Sequence, residues 1–136
     1  AKISCMEHEY VKKFDDWNLH KKELNRNSVK LYKAREIWWC SLGVNVGYEQ
    51  DGTGEDFDRP VVILKGFSKN VCLVVPLTTS TKTNPYHLSL AQIDDCESFA
   101  IVSQIRLIDT RRLINKICTL DKEKFTELKT TVKSVF

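Results

Sequence analysis

Three prolines and five glycines in 136 residues are too few for a collagen-like, linker-rich or low-complexity chain. Long apolar runs are missing as well. None approaches the roughly 20 residues a membrane-crossing helix needs, and the first residues lack the apolar core of a signal peptide. A cytoplasmic protein with no membrane partner is expected; Met6 is a candidate native start, which leaves the origin of residues 1–5 open. The five cysteines (Cys5, Cys40, Cys72, Cys96 and Cys118) are odd in number and contain no C-x-x-C pair. That spacing argues against a zinc site or a disulfide framework, and Cys40 and Cys72, inside apolar runs, read as buried thiols. No Gly-rich loop follows a strand and opens a helix, so the usual nucleotide-binding fingerprints are absent. Charge of one sign is not in strong excess: the net charge of +3 is compatible with a nucleic-acid partner without requiring one. The length suits one domain with a modest core.

What is present centres on residues 59–80. Arg59-Pro60-Val61-Val62-Ile63-Leu64-Lys65 leads into a polar turn at Ser68, Lys69 and Asn70. The chain then resumes as Val71-Cys72-Leu73-Val74-Val75-Pro76-Leu77-Thr78-Thr79-Ser80. Two apolar runs of strand length around a turn cluster predict a hairpin. Their nearly unbroken apolar character predicts burial on both faces of a small curved sheet. Antiparallel pairing sets the start of one strand beside the end of the next. Arg59 should therefore meet Thr78, Thr79 and Ser80 at one sheet edge. An always-charged fork of donors beside hydroxyls suits a phosphate. A capped strand end with a surface ion pair gives the same pattern, and these residues alone leave both readings open.

Around the hairpin, Tyr10, Phe14 and Trp17, with Val11 beside them, form one apolar stripe in a charged segment, which predicts an amphipathic helix from Glu7 to about Leu24. It is expected to pack its stripe on the barrel. Ile37 to Leu42 reads as a strand, with Trp38 and Trp39 on opposite faces. Gly43 to Asp58 is a long loop with four glycines, Tyr48 and the acids Glu49, Asp51, Glu55, Asp56 and Asp58. A loop of that length in a compact domain is commonly functional. Its acids lack an octahedral-ligand pattern, so no metal is expected and they are read as flanking a substrate groove. His87 to Leu90 and Phe99 to Val102 read as strands, and Thr110 to Ile117 as a short helical or irregular turn. Asp121 is a candidate N-cap for a C-terminal helix with the stripe Phe125, Leu128, Val132 and Val135. The pattern supports a mainly antiparallel sheet with flanking helices.

Three further stretches complete a recognisable order. Glu36-Ile37-Trp38-Trp39-Cys40-Ser41-Leu42-Gly43 and Gly47-Tyr48-Glu49-Gln50-Asp51-Gly52 precede Arg59-Pro60. Ser103-Gln104-Ile105-Arg106-Leu107-Ile108-Asp109-Thr110-Arg111-Arg112-Leu113 follows the hairpin. In this order and spacing the chain, from about Arg35 to Phe136, resembles the MazF/PemK family of toxin endoribonucleases. The resemblance implies a mainly β (α+β) fold: a small SH3-like antiparallel barrel over residues 35–136, with residues 1–34 as an N-terminal helical extension and a helix at the C-terminus. It implies a type II toxin that cleaves single-stranded RNA or mRNA without a cofactor, acting as a homodimer restrained by a cognate antitoxin. The family's catalytic Arg and Thr match Arg59 and Thr78. Tyr48, Glu49, Gln50, Thr79, Ser80, Gln104 and Arg106 are the matching substrate-binding candidates. Gln104 is read as bonding a base edge or the backbone, and Arg106 either as a substrate contact or as an anchor through Asp109. Where many relatives carry Asp or Glu before Gln104, this chain has Ser103, which leaves the proton-transfer group open. His8, His20 and His87 do not form the pair a two-imidazole ribonuclease needs. A gyrase-binding toxin of the CcdB type, on the same fold, and an inactive RNA-binding relative are the alternatives.

Overall fold

A computed structural model describes residues 11–82 and 84–136. Among the described residues, seven strands and two α-helices follow in the order α1 (Phe14–Leu24), β1 (Glu36–Ser41), β2 (Asp58–Gly66), β3 (Val71–Thr78), β4 (His87–Ile93), β5 (Cys96–Ile101), β6 (Arg106–Asp109), β7 (Leu113–Thr119) and α2 (Lys122–Ser134). The strands form one curled antiparallel sheet in the order β4-β5-β3-β2-β1-β7, with β6 joining β3 off that path.

The expected hairpin sits at its centre, and the pleat explains why its strands read as unbroken apolar runs. Val62, Val75 and Leu77 project into one cluster with Ile37, Ala100 and Leu128. Val61, Ile63, Cys72 and Val74 project into a second, with Trp38, Cys40 and Leu113. Alternate residues therefore supply two cores on the two faces of one sheet. Val61, Val62 and Ile63 have no exposed surface, and burying such a side chain contributes roughly 1.5–3 kcal/mol.

The same strand changes partner along its other edge. Val71 to Val74 pair with β6, whereas Leu77 and Thr78 pair with β5. Pro76, which has no N–H to offer a ladder, falls between these partners. On the hairpin side Val61 lies opposite Pro76 and Val62 opposite Val75. Carried two residues further, that register sets Arg59 across from Thr78.

Several elements differ from the expectations. Thr110 to Arg112 form one 3₁₀ turn, but Leu113 to Thr119 are strand β7, not an irregular segment. β6 is a strand that the pattern did not reveal. Helix α1 begins at Phe14; Val11 to Lys13 are not helical, and Tyr10 lies outside the described residues. Trp17 and Leu24 are buried, while Phe14 is half exposed. At the other end the Asp121 carboxylate accepts Glu123 N–H at 2.7 Å, as expected of an N-cap. Phe125 and Leu128 are buried, Val132 packs against the same cluster, and Val135 leaves it. No described helix is long and apolar enough to cross a membrane.

Candidate active site

Arg59 is the second residue of β2, flanked by β1 on one side and β3 on the other. Its guanidinium bridges two chain segments. Nε donates to the Asp51 carbonyl at 2.8 Å, and Nη1 donates to the Leu77 carbonyl at 3.0 Å. These bonds give the planar group one orientation in a groove of about 380 Å³, whose walls include Trp39, Thr78, Thr79, Ser80 and Ser98. The two tryptophans divide as expected: Trp38 enters a core, and Trp39 covers the groove edge. The Thr78 hydroxyl oxygen accepts Ser80 N–H at 3.1 Å. That bond uses a lone pair and not the hydroxyl hydrogen, so Thr78 keeps donor capacity. The structure thus brings together the Arg59, Thr78, Thr79 and Ser80 set.

The other candidates gather in a separate groove of about 240 Å³, formed by Asn45, Glu49, Gln50, Ser103, Gln104, Ile105 and Arg106. Gln104 spends its amide on the neighbouring loop: Oε1 accepts Gln50 N–H at 3.2 Å, and Nε2 donates to the Tyr48 carbonyl at 3.1 Å. Arg106 lines this groove, and among the described residues no ion pair joins it to Asp109. Asp109 instead caps the following 3₁₀ turn through Arg111 N–H and lies 3.7 Å from the Arg111 Nε. The Tyr48 side chain is fully exposed. Glu49 accepts Val46 N–H at 3.0 Å, closing its own turn while lining the groove that contains Ser103. A carboxylate therefore stands in this groove even though Ser103 supplies none.

The loop between β1 and β2 joins the two grooves, and Asp51 organises it. Its carboxylate, expected to flank substrate, is buried instead. It accepts Asn45 N–H at 2.7 Å and pairs with Lys12 Nζ at 3.2 Å. Asn45 returns the contact, its Nδ2 donating to the Gln50 carbonyl at 2.8 Å. Lys12 also donates to the carbonyls of Asn45 and Gly47. Helix α1 packs over this loop, where Trp17 and Leu24 form a third cluster with Val44 and Phe57, and its end meets Arg111 of the turn after β6. Gly43 permits that approach, since a Cβ there would lie 2.2 Å from the Trp17 ring, and its φ of +82° suits glycine. Arg112 stacks over Trp17 and donates to the carbonyls of Ser41 and Leu42, where the loop departs. Burial, then the nearby Arg106, pulls the Arg112 pKa below the usual arginine value. The pairing of Lys12 with Asp51 went unnoticed in the sequence because the two lie 39 positions apart and no local pattern links them.

The remaining reactive groups lie elsewhere. Cys40 and Cys72 are buried free thiols; burial pushes Cys40 up to about 12 and Cys72 up to about 11, so neither is a ready nucleophile. His87 opens β4 outside both grooves, and His20 stacks with Trp17 and Phe57. Among the described residues, no group of three or more His, Cys, Asp or Glu side chains is placed to share a metal ion.

No curated protein matches the chain by sequence. Solved structures do resemble its fold. MazF from Deinococcus radiodurans is 19% identical with a TM-score of 0.65, and the match covers 78% of this chain and 96% of that one. A MazE–MazF complex from the same organism gives 15% identity and a TM-score of 0.59, covering 78% and 95%. A mycobacterial endoribonuclease in complex with its cognate antitoxin gives 15% and 0.57, covering 76% and 93%. At these identities the likeness speaks for the fold. The model of PemK-like, MazF-like toxins of type II toxin–antitoxin systems matches residues 33–136, the greater part of the sequence, and the chain belongs to that family.

Proposed function

We propose that this protein is an endoribonuclease toxin that cuts single-stranded RNA at its Arg59 groove. The observation that carries this reading is the Arg59 guanidinium, held by two backbone carbonyls beside the Thr78–Ser80 hydroxyls. In the proposed reaction the substrate's 2′-oxygen forms a bond to phosphorus and the bond from phosphorus to the 5′-oxygen breaks. The 2′-hydroxyl gives up a proton to a base, and the departing 5′-oxygen gains one. Products are a cyclic 2′,3′-phosphate and a 5′-hydroxyl. Charge builds on the equatorial phosphate oxygens in between, where a fixed guanidinium has its greatest effect. Thr78 donates to one of those oxygens and orients the phosphate. Arginine is a poor base, with a pKa above about 12, so Arg59 acts through its charge. Glu49, Gln50, Gln104 and Arg106 form the second groove, which we assign to nucleotides flanking the cut, with Gln104 shaping it through the loop backbone. Tyr48 offers an exposed ring on which a base can stack. Residues 1–34 are taken as an extension outside the family's core.

The solved neighbours in complex with antitoxins support a cognate antitoxin as a partner; we take the protein to be a cytoplasmic homodimer and the antitoxin to block the grooves as an extended peptide. The test is incubation of the purified protein with a long unstructured RNA in the presence of EDTA, followed by mapping of the cut ends. Discrete cuts at a short recurring sequence, lost in Arg59→Ala, are expected. A folded protein that makes no cuts would shift the reading to a gyrase-type binder or an inactive relative, and inhibition by EDTA would implicate a metal.

A further inference from the structure

Resting on the ribonuclease reading, we infer that Lys12, in the extension that precedes the family match, is a positioning residue for Arg59. Its ammonium enters the loop between β1 and β2 and donates to the Asn45 and Gly47 carbonyls and to the Asp51 carboxylate. Those three acceptors belong to one closed turn, in which the Asp51 carboxylate also holds Asn45 N–H. The backbone carbonyl of the same Asp51 accepts Arg59 Nε–H at 2.8 Å. One residue thus passes the constraint on: its side chain faces Lys12, and its main chain faces the guanidinium. The Lys12 side chain is 18% exposed and that of Asp51 10%, so the pair is largely screened from water. Packing of Trp17 against Gly43 and Val44 brings the extension to this loop, since Trp17 follows Lys12 by only five residues.

A loop free to drift would carry the Asp51 carbonyl, and with it the Arg59 plane, away from the phosphate. Transition-state stabilisation is sensitive to such displacements. Lys12 does not contact the reacting atoms in this scheme and so affects turnover, not substrate affinity.

Three variants decide the matter. Lys12→Met removes the ammonium, Lys12→Arg retains a cation able to reach the same acceptors, and Lys12→Gln serves if the Met variant is unstable. Each is compared with the wild-type chain in single-turnover cleavage, in RNA binding across salt concentrations, and in nitrogen–proton spectra of the arginine Nε–H groups, with the Arg59 signal assigned by its loss in Arg59→Lys. Expected is a fall in cleavage rate of roughly ten- to hundredfold in Lys12→Met, unchanged RNA affinity, substantial recovery in Lys12→Arg, and an Arg59 Nε–H that exchanges faster in Lys12→Met. Unchanged cleavage with an unchanged Arg59 signal would overturn the inference. A loss of affinity with a shallower salt dependence and an unmoved Arg59 signal would overturn it in favour of a direct phosphate contact by Lys12. If the wild-type protein cuts no RNA, the ribonuclease reading fails on its own. The Arg59 signal then decides: faster exchange in Lys12→Met upholds the positioning, and unaltered exchange overturns it.

Discussion

Replacing Arg59 by Ala is expected to injure stability and chemistry together, by separable amounts. The side chain makes two charge-assisted bonds to carbonyls, at 2.8 and 3.0 Å, one across the hairpin and one to the loop. Bonds to a charged group contribute roughly 1.5–3 kcal/mol each. Both are only part-buried, so the lower end applies, and together they amount to about 2–3 kcal/mol. For a chain of this size each kcal/mol moves Tm by about 3–6 °C. A fall of roughly 6–18 °C follows for Arg59→Ala from the same conversion. Removing a preorganised donor from the developing phosphorane costs about 10²–10³-fold in rate. Arg59→Lys keeps a point charge but cannot span both carbonyls in one plane. It should recover part of the stability and little of the rate. Thermal unfolding by circular dichroism, with single-turnover cleavage measured well below both transitions, separates the two effects. Undiminished cleavage in a folded Arg59→Ala protein would remove Arg59 from the reacting phosphate. An inactive variant with an unchanged Tm would show that its carbonyl bonds do not hold the loop.

Two glycines in the same loop give a paired test. Gly43→Ala combines a positive φ, which costs about 1–2 kcal/mol, with a Cβ 2.2 Å from the Trp17 ring; displacing that ring adds about 1–3 kcal/mol. Gly47→Ala has a φ of +56° and nothing within 4 Å of the new atom, so only the backbone cost applies; equal losses in urea unfolding would place Trp17 elsewhere. Glu36 yields a pH prediction. Burial works to raise its pKa, but the bonds from Trp38 Nε1 and Lys33 N–H and the ion pair with Lys116 outweigh it and hold the carboxyl below its ordinary value. Its stabilisation is therefore full above the unfolded carboxylate's pKa of about 4.3 and is lost as pH falls through the lower folded value. Glu36→Gln should flatten that acid limb of the stability curve, and an unaltered slope would count against the pairing.

The hairpin was legible because burial on both faces leaves apolar runs that need no period, and antiparallel geometry alone brought Arg59 to Thr78. β7 was not legible. Its register on β1 shifts twice, between Ile37 and Trp38 and between Trp39 and Cys40. Leu113-Ile114-Asn115-Lys116-Ile117-Cys118-Thr119 therefore shows no clean alternation. Of the two readings of Arg106, the anchor through Asp109 is not seen among the described residues. Both belong to one strand, opposite Val74 and Val71, and Asp109 is engaged by the turn that follows. The loop acids were treated as one class, yet Asp51 is buried by a lysine far away in sequence while Glu55 and Asp56 remain exposed. Burial of a lone carboxylate depends on a partner brought by tertiary structure, which spacing does not reveal.

The ladder between β1 and β7 also bears on when the protein becomes competent during its own synthesis. The hairpin bearing Arg59 and Thr78 is translated before β7. The residues that seal β1, and the Arg112 guanidinium that grips Ser41 and Leu42 where the loop departs, are translated much later. A nascent polypeptide halted between those points has Arg59, Thr78 and the Lys12 contacts to the loop, but neither the β7 seal on β1 nor the Arg112 grip where the loop departs. Contacts this distant in sequence close slowly, so an interrupted round of translation leaves behind a toxin fragment without its finished groove.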